Sequence, residues 1–199
     1  MSVPIILASG SSIRTQLLEN AGVPHTVQIA RVDEDTMKRA LLAEDASPRD
    51  VADALAEMKA RRISDKNPGP MVLGCDQVLD FEGRLLSKPD TREEALAQLK
   101  MMRGKRHMLL SAAVIYQDGE PIWRHVGQVR LRMRASSDAY LNDYVARNWD
   151  SIRHSVGAYK LEEEGVRLFA TIDGDYFNVL GMPLLELLNF LAVKGVIDQ

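Results

Sequence analysis

Met71 to Leu79, MVLGCDQVL, is the most apolar stretch in the first half of the chain, and it constrains the fold more than any other segment. A near-continuous apolar run of strand length, rather than an alternating one, belongs to a strand covered on both faces. Asp76 interrupts that run. A carboxylate there is costly unless it is paired, hydrogen-bonded or metal-bound. Two roles fit it, a structural ion pair or a catalytic carboxylate, and α/β sheets place catalytic carboxylates at strand ends beside a glycine. Cys75, its neighbour and the single cysteine, reads as a small buried strand residue.

Elements of both kinds surround this strand. A short apolar strand, Val3 to Leu7, passes through Ala8-Ser9-Gly10-Ser11 into a helix expected over Ser12 to Ala21, with Gly22 as its stop. His25 to Ile29 reads as extended, and the acidic stretch Val32-Asp33-Glu34-Asp35 reads by default as a solvated loop. Ser47 and Pro48 open a second helix, with Val51, Leu55 and Met58 as its inner stripe. After a turn at Glu82-Gly83, Thr91 and Glu94 form the capping box of a third helix ending near Gly104. Residues 107–116 and 121–135 form a long hairpin around Asp118-Gly119. In its second arm Val129, Leu131 and Met133 alternate with Arg130, Arg132 and Arg134, the mark of one buried and one wet face. A fourth helix follows Ser136-Ser137, residues 166–172 form a strand, and a last helix starts at Pro183 and ends before Gly195. Strands and helices alternate early and a hairpin fills the middle. That order predicts an α/β fold with a mixed twisted sheet and flanking helices, over a single domain of residues 1–199.

Composition narrows the partners. A net charge of −3 supplies no basic field for a nucleic-acid polymer, whereas a small polyanion needs only a local cluster of cations. One cysteine permits no internal disulfide and suits a reducing compartment. No segment has the length of a membrane span, and the N-terminus lacks the basic region of a signal peptide, so a cytoplasmic location is expected. The histidines, His25, His107, His125 and His154, are scattered without ligand spacing, and no Walker A, GxGxxG or GxSxG motif is present.

The first strand-to-helix turn is the natural anion site. Backbone N–H groups and the hydroxyls of Ser9 and Ser11 converge at a helix N-terminus. Arg14 sits in the first helical turn, against the dipole, and a bound phosphate would reverse that penalty. The alternative is an ordinary Ser11 or Ser12 N-cap with a solvated Arg14. Lys88 ends an extended segment ahead of Pro89.

Taken in order, LASGSSIRTQLL, VDED, LAEMKA, LGCDQVL, LSKPDT, SVGAYKLEEEG and IDGDYFNVLGMPLLEL resemble the Maf family of nucleotide pyrophosphatases from Leu7 to about Leu187. The resemblance implies a fold similar to that of inosine-triphosphate pyrophosphatases, with two lobes around a cleft. It implies hydrolysis of a nucleoside triphosphate to monophosphate and pyrophosphate with a divalent cation, Mg or Mn, and a homodimer would suit the family. Asp76 becomes the catalytic proton acceptor; Arg14, Lys59 and Lys88 become phosphate-neutralising cations; Ser9 and Ser11 lie near the phosphates; and Glu34 helps Asp76 hold the metal. Such chemistry needs neutralised charge and an oriented water more than covalent participation.

The family usually reads Ser-Pro-Arg-Arg where this chain has Ser11-Ser12-Ile13-Arg14, so one arginine of the pair survives. The positions linked to substrate choice hold Ile13, Gln77 and Glu162. The latter two resemble the subgroup acting on 7-methyl-GTP, which usually has Trp at the Ile13 position. A carboxylate suits that base, because guanine offers two N–H donors on one edge and N7 methylation adds positive charge. The other readings are a dTTP/UTP pyrophosphatase and a nucleotide-binding regulator of septum formation with little turnover.

Overall fold

The computed structural model describes residues 5–198. Val3 and Pro4, expected to begin the first strand, lie outside the described residues. The chain runs β1 (Ile5–Leu7), α1 (Ser12–Asn20), β2 (His25–Val27), α2 (Glu34–Ala43), α3 (Pro48–Ser64), β3 (Val72–Phe81) and β4 (Arg84–Leu86). It continues through α4 (Arg92–Met102), β5 (Arg106–Gln117), β6 (Glu120–Met133), α5 (Asp138–Ile152), β7 (Phe169–Asp173), α6 (Tyr176–Val179) and α7 (Leu184–Val193).

The strands make one mixed sheet in the order β2-β1-β3-β5-β6-β7, with β4 also paired to β3. β1 runs parallel to β2 and β3, while β3, β5, β6 and β7 form antiparallel pairs. The α/β expectation therefore holds, hairpin included. Asp118 and Gly119, both at positive φ, turn β5 into β6. Val129, Leu131 and Met133 are buried while the alternating arginines are exposed, as the period of two requires.

β3 forks along one edge. Among the described residues β1 pairs with it only at Val72 and Leu73, and β4 only from Leu79 to Phe81, so residues 74–78 have β5 on one side and no described strand on the other. That gap contains Asp76 and Gln77.

The faces of β3 differ. On one, α3 packs Val51, Ala52, Leu55 and Ala56 against Val78, Leu110, Ala112 and Val114. The other carries two separate cores: Leu73, Cys75 and Ile115 with α1 and α7, and Leu79, Leu109 and Leu131 with α4 and α5. These are the two lobes, and a polar row of Gln77, Ser111 and Gly127 crosses the sheet between them.

Two local readings are corrected. The acidic stretch is not a loop throughout: Asp33 is the N-cap of α2, its carboxylate accepting from the Thr36 amide at 3.0 Å, and Glu34 and Asp35 occupy the first turn, where acids complement the dipole. The strand expected at 166–172 begins only at Phe169, because residues 164–168 form a 3-10 turn.

Candidate active site

Gly74 determines how closely α3 approaches the sheet. A Cβ there would lie 2.2 Å from the Ala56 carbonyl oxygen and 2.6 Å from the Ala60 amide nitrogen, so only glycine lets the helix backbone lie on β3. One turn along, Lys59 is thereby delivered to Asp76. Its Nζ donates to Asp76 Oδ1 at 2.7 Å and pairs with Glu34 Oε2 at 3.1 Å. Asp76, Lys59 and Glu34 are thus brought together from three elements, and Lys59, expected as a phosphate-neutralising cation, is paired here with the two carboxylates expected to hold a metal. Burial pushes the Asp76 carboxyl above its ordinary range, opposed by the Lys59 and Arg14 charges and assisted by Glu34.

Arg14 reaches the same gap from the other side. Its Nε donates to the Gly181 carbonyl at 2.9 Å, and its Nη1 donates to the Cys75 carbonyl at 3.1 Å and to Ser9 Oγ at 3.3 Å. The reading of Arg14 as a freely solvated side chain is therefore wrong. The guanidinium is fixed beside β3 by neutral carbonyls and forms no ion pair among the described residues. Ser9 Oγ also accepts from the Ser11 amide at 3.2 Å, which keeps its own proton for another acceptor. Ser11 is the N-cap of α1, but its side chain makes no capping bond.

The remaining expected residues lie apart from this cluster. Lys88 is exposed after β4 and makes no hydrogen bond or ion pair with it among the described residues. Ile13 packs at the margin of the core formed by α1 and α7. Gln77 faces away from Asp76, as strand alternation dictates, and its Nε2 donates to Ser111 Oγ at 3.0 Å and to the carbonyls of Asn178 and Val179 at 2.9 and 3.0 Å. Glu162 is exposed, and it differs from the acids beside it. Glu163 accepts from Ser151 at 2.7 Å, and Glu164 is held by Arg147 at 2.7 Å and Asn148 at 2.8 Å, which lowers its pKa to about 2.

A divalent cation would find two carboxylates here, Asp76 and Glu34. Among the described residues no group of three His, Cys, Asp or Glu side chains gathers to hold a metal. That donor set suits a hard cation that draws its other oxygens from phosphates and water, and it does not suit a cage made by protein alone.

Residue-by-residue reading of the sequence passed over Ser111, Gly127 and Asn178. A Cβ at Gly127 would lie 1.9 Å from Asn178 Oδ1, and Ser111 donates to the Asn178 carbonyl at 2.6 Å. The only sequence signal was a serine inside an apolar strand. His107 was dismissed as a metal ligand; it is buried, with its Nε2 2.8 Å from the Tyr159 hydroxyl, and burial lowers its pKa to about 4.

A strand left open along one edge, with a carboxylate on it, a buried lysine paired to that carboxylate and an arginine fixed beside it, defines a mixed α/β protein whose charged groups gather where the sheet forks. The description "Maf-like protein" matches residues 4–193, and the chain belongs to that family. It is 79% identical over 100% of both chains to a nucleoside triphosphate pyrophosphatase from Ruegeria pomeroyi. It is 43% identical, again over 100% of both, to a 7-methyl-GTP pyrophosphatase from Brucella abortus. A dITP/XTP pyrophosphatase structure from Mycobacterium abscessus matches 98% of each chain at 14% identity and a TM-score of 0.41, a score too low to bear on the fold, which rests on the sheet order itself. Among the described residues no helix is long and apolar enough to cross a membrane.

Proposed function

We propose that this Maf-family nucleoside triphosphate pyrophosphatase acts on 7-methyl-GTP, releasing pyrophosphate and leaving the monophosphate. One observation carries the chemistry: Asp76 stands on the unpaired stretch of β3 with its Oδ1 held by Lys59 at 2.7 Å. Oδ2 is outside that bond and can take a proton from an attacking water. A carboxyl raised by burial is a better base than an exposed one, and the Lys59 and Arg14 charges oppose that rise by favouring its ionised form. Water attacks the α phosphorus, its proton passes to Asp76, and the bridging oxygen departs with pyrophosphate. Arg14, fixed beside the gap, and Lys88, exposed after β4, supply positive charge for the phosphates, and Ser9 and Ser11 supply hydroxyl contacts.

Asp76 and Glu34 would hold Mg or Mn, which when bound neutralises charge on the triphosphate. Glu162 supports the choice of base, since it is the acid of its run whose carboxylate makes no hydrogen bond or ion pair among the described residues. Ile13 replaces an arginine with an apolar wall. We place the activity in the cytoplasm on a free nucleotide, for which a net charge of −3 is no obstacle.

Asp76→Asn tests the assignment. Pyrophosphate release from 7-methyl-GTP with Mg or Mn should fall about 10²- to 10⁴-fold while the protein stays folded. Release at the wild-type rate by this variant would remove Asp76 from the chemistry.

A further inference from the structure

Gln77 lies opposite Ser111 across β3 and β5, and Gly127 continues the row on β6. Three acceptors surround the Gln77 Nε2: Ser111 Oγ at 3.0 Å and the carbonyl oxygens of Asn178 and Val179 at 2.9 and 3.0 Å. Backbone carbonyls only accept, so the carboxamide atom facing them is the nitrogen. Ser111 spends its own proton on the Asn178 carbonyl at 2.6 Å and therefore accepts from Gln77. Both amide protons of Gln77 are thus committed within the protein. Its Oε1 accepts no hydrogen bond among the described residues, and it is absent from the polar atoms that are buried without a partner. What Gln77 turns outward is an acceptor.

The arrangement is held from below. Asn178 sits over Gly127, where any Cβ would lie 1.9 Å from its Oδ1, and its amide N–H and Nδ2 donate to Asp175 Oδ2 at 3.1 and 3.0 Å. The carbonyl that orients Gln77 therefore cannot swing away. Rotating the carboxamide would put oxygen against two carbonyl oxygens, which is repulsive and withdraws the Gln77 donor from the Val179 carbonyl.

We infer that Ser111 and the Asn178–Val179 carbonyls are positioning groups that hold Gln77 as an acceptor toward the base, so that the subsite reads a nucleobase by its N–H donors. Glu162, the second polar group assigned to the base, is also an acceptor when ionised. A guanine-type ring, with a ring N–H beside an exocyclic amino group, satisfies two acceptors. Uracil and thymine offer one N–H flanked by two carbonyls and would set oxygen against oxygen. The inference rests on the pyrophosphatase reading, and on the base lying between Gln77 and Glu162.

The test is a double-mutant cycle on pyrophosphate release, with kcat and KM measured for 7-methyl-GTP and UTP in wild type, Ser111→Ala, Gln77→Leu and the double variant. Ser111→Ala should lower the preference for 7-methyl-GTP over UTP about five- to tenfold through KM, with kcat little changed. In the Gln77→Leu background the same substitution should change that preference no further, whereas a merely structural role would add its effect. Additive losses, or equal weakening of both substrates, overturn the inference. If Ser111→Ala does not fold, wild type decides: 7-methyl-ITP, which lacks the exocyclic amino donor, should be used at least about fivefold less well than 7-methyl-GTP, and equal use overturns it. Wild type that releases pyrophosphate without base preference refutes this inference alone. Wild type inert toward every triphosphate refutes the pyrophosphatase reading and this inference with it.

Discussion

Replacing Lys59 by Met removes the charge that faces Asp76 while keeping most of the buried stem. The Lys59 and Asp76 side chains are each 10% exposed, so solvent screens their 2.7 Å contact little, whereas Glu34 is 48% exposed and its leg counts for roughly 0–1 kcal/mol. Breaking one partner out of a buried pair costs about 3–5 kcal/mol, because the other charge is left desolvated. At roughly 2–4 °C per kcal/mol for a chain of this size, Tm should fall on the order of 10 °C at neutral pH. The deficit should also depend on pH. Asp76 already titrates above its unfolded-chain value, so its favourable contribution is complete below that value and is lost as pH rises through the folded one. Without Lys59 the folded value moves higher still, and the variant loses more than wild type on the alkaline side. Scanning calorimetry at pH 5 and pH 8 should therefore show a small deficit at the lower pH and a large one at the higher. Equal deficits at both would mean that lost packing, not the uncompensated carboxylate, is responsible.

Gly74→Ala forces a Cβ to within 2.2 Å of the Ala56 carbonyl oxygen, a backbone atom that cannot step aside, and should cost more than about 3 kcal/mol in urea unfolding. Gly10→Ala is its control, since the nearest atom is the far end of Ile29 at 3.4 Å, and a comparable loss there would refute the argument from close approach. His107 should make the fold acid-sensitive. Its folded pKa of about 4 lies below the ordinary 6.5, so its contribution is complete above pH 6.5 and is lost as pH falls toward 4, on the order of 3 kcal/mol. His107→Gln should flatten that dependence in urea titrations at pH 7 and pH 4.5; identical pH profiles for the two proteins would exclude His107 as the cause.

Elements with strong local signals were legible in the sequence. Ser47-Pro48, Thr91 with Glu94, and Asp118-Gly119 act through neighbours a few residues away, and the helices and hairpin they announce form where expected. α2 was missed because an acidic run suits both a solvated loop and a first helical turn, and only the Asp33 cap decides between them. α6 is four residues long and carries no periodicity to detect.

The site divides along the same line. Asp76 could be singled out from sequence because a carboxylate inside an apolar strand is a cost that local patterning exposes by itself. The sequence likewise determined the alternation that turns Asp76 and Gln77 to opposite faces. Its partners were decided by tertiary structure alone. Lys59 reaches Asp76 only because Gly74 lets α3 lie on the strand, and Gln77 presents oxygen only because Ser111 and α6, distant in the chain, occupy its amide protons. Hydrogen-bond polarity and ion pairing depend on which groups meet in space. A sequence records which donors and acceptors exist, but the fold decides which of them are already spent.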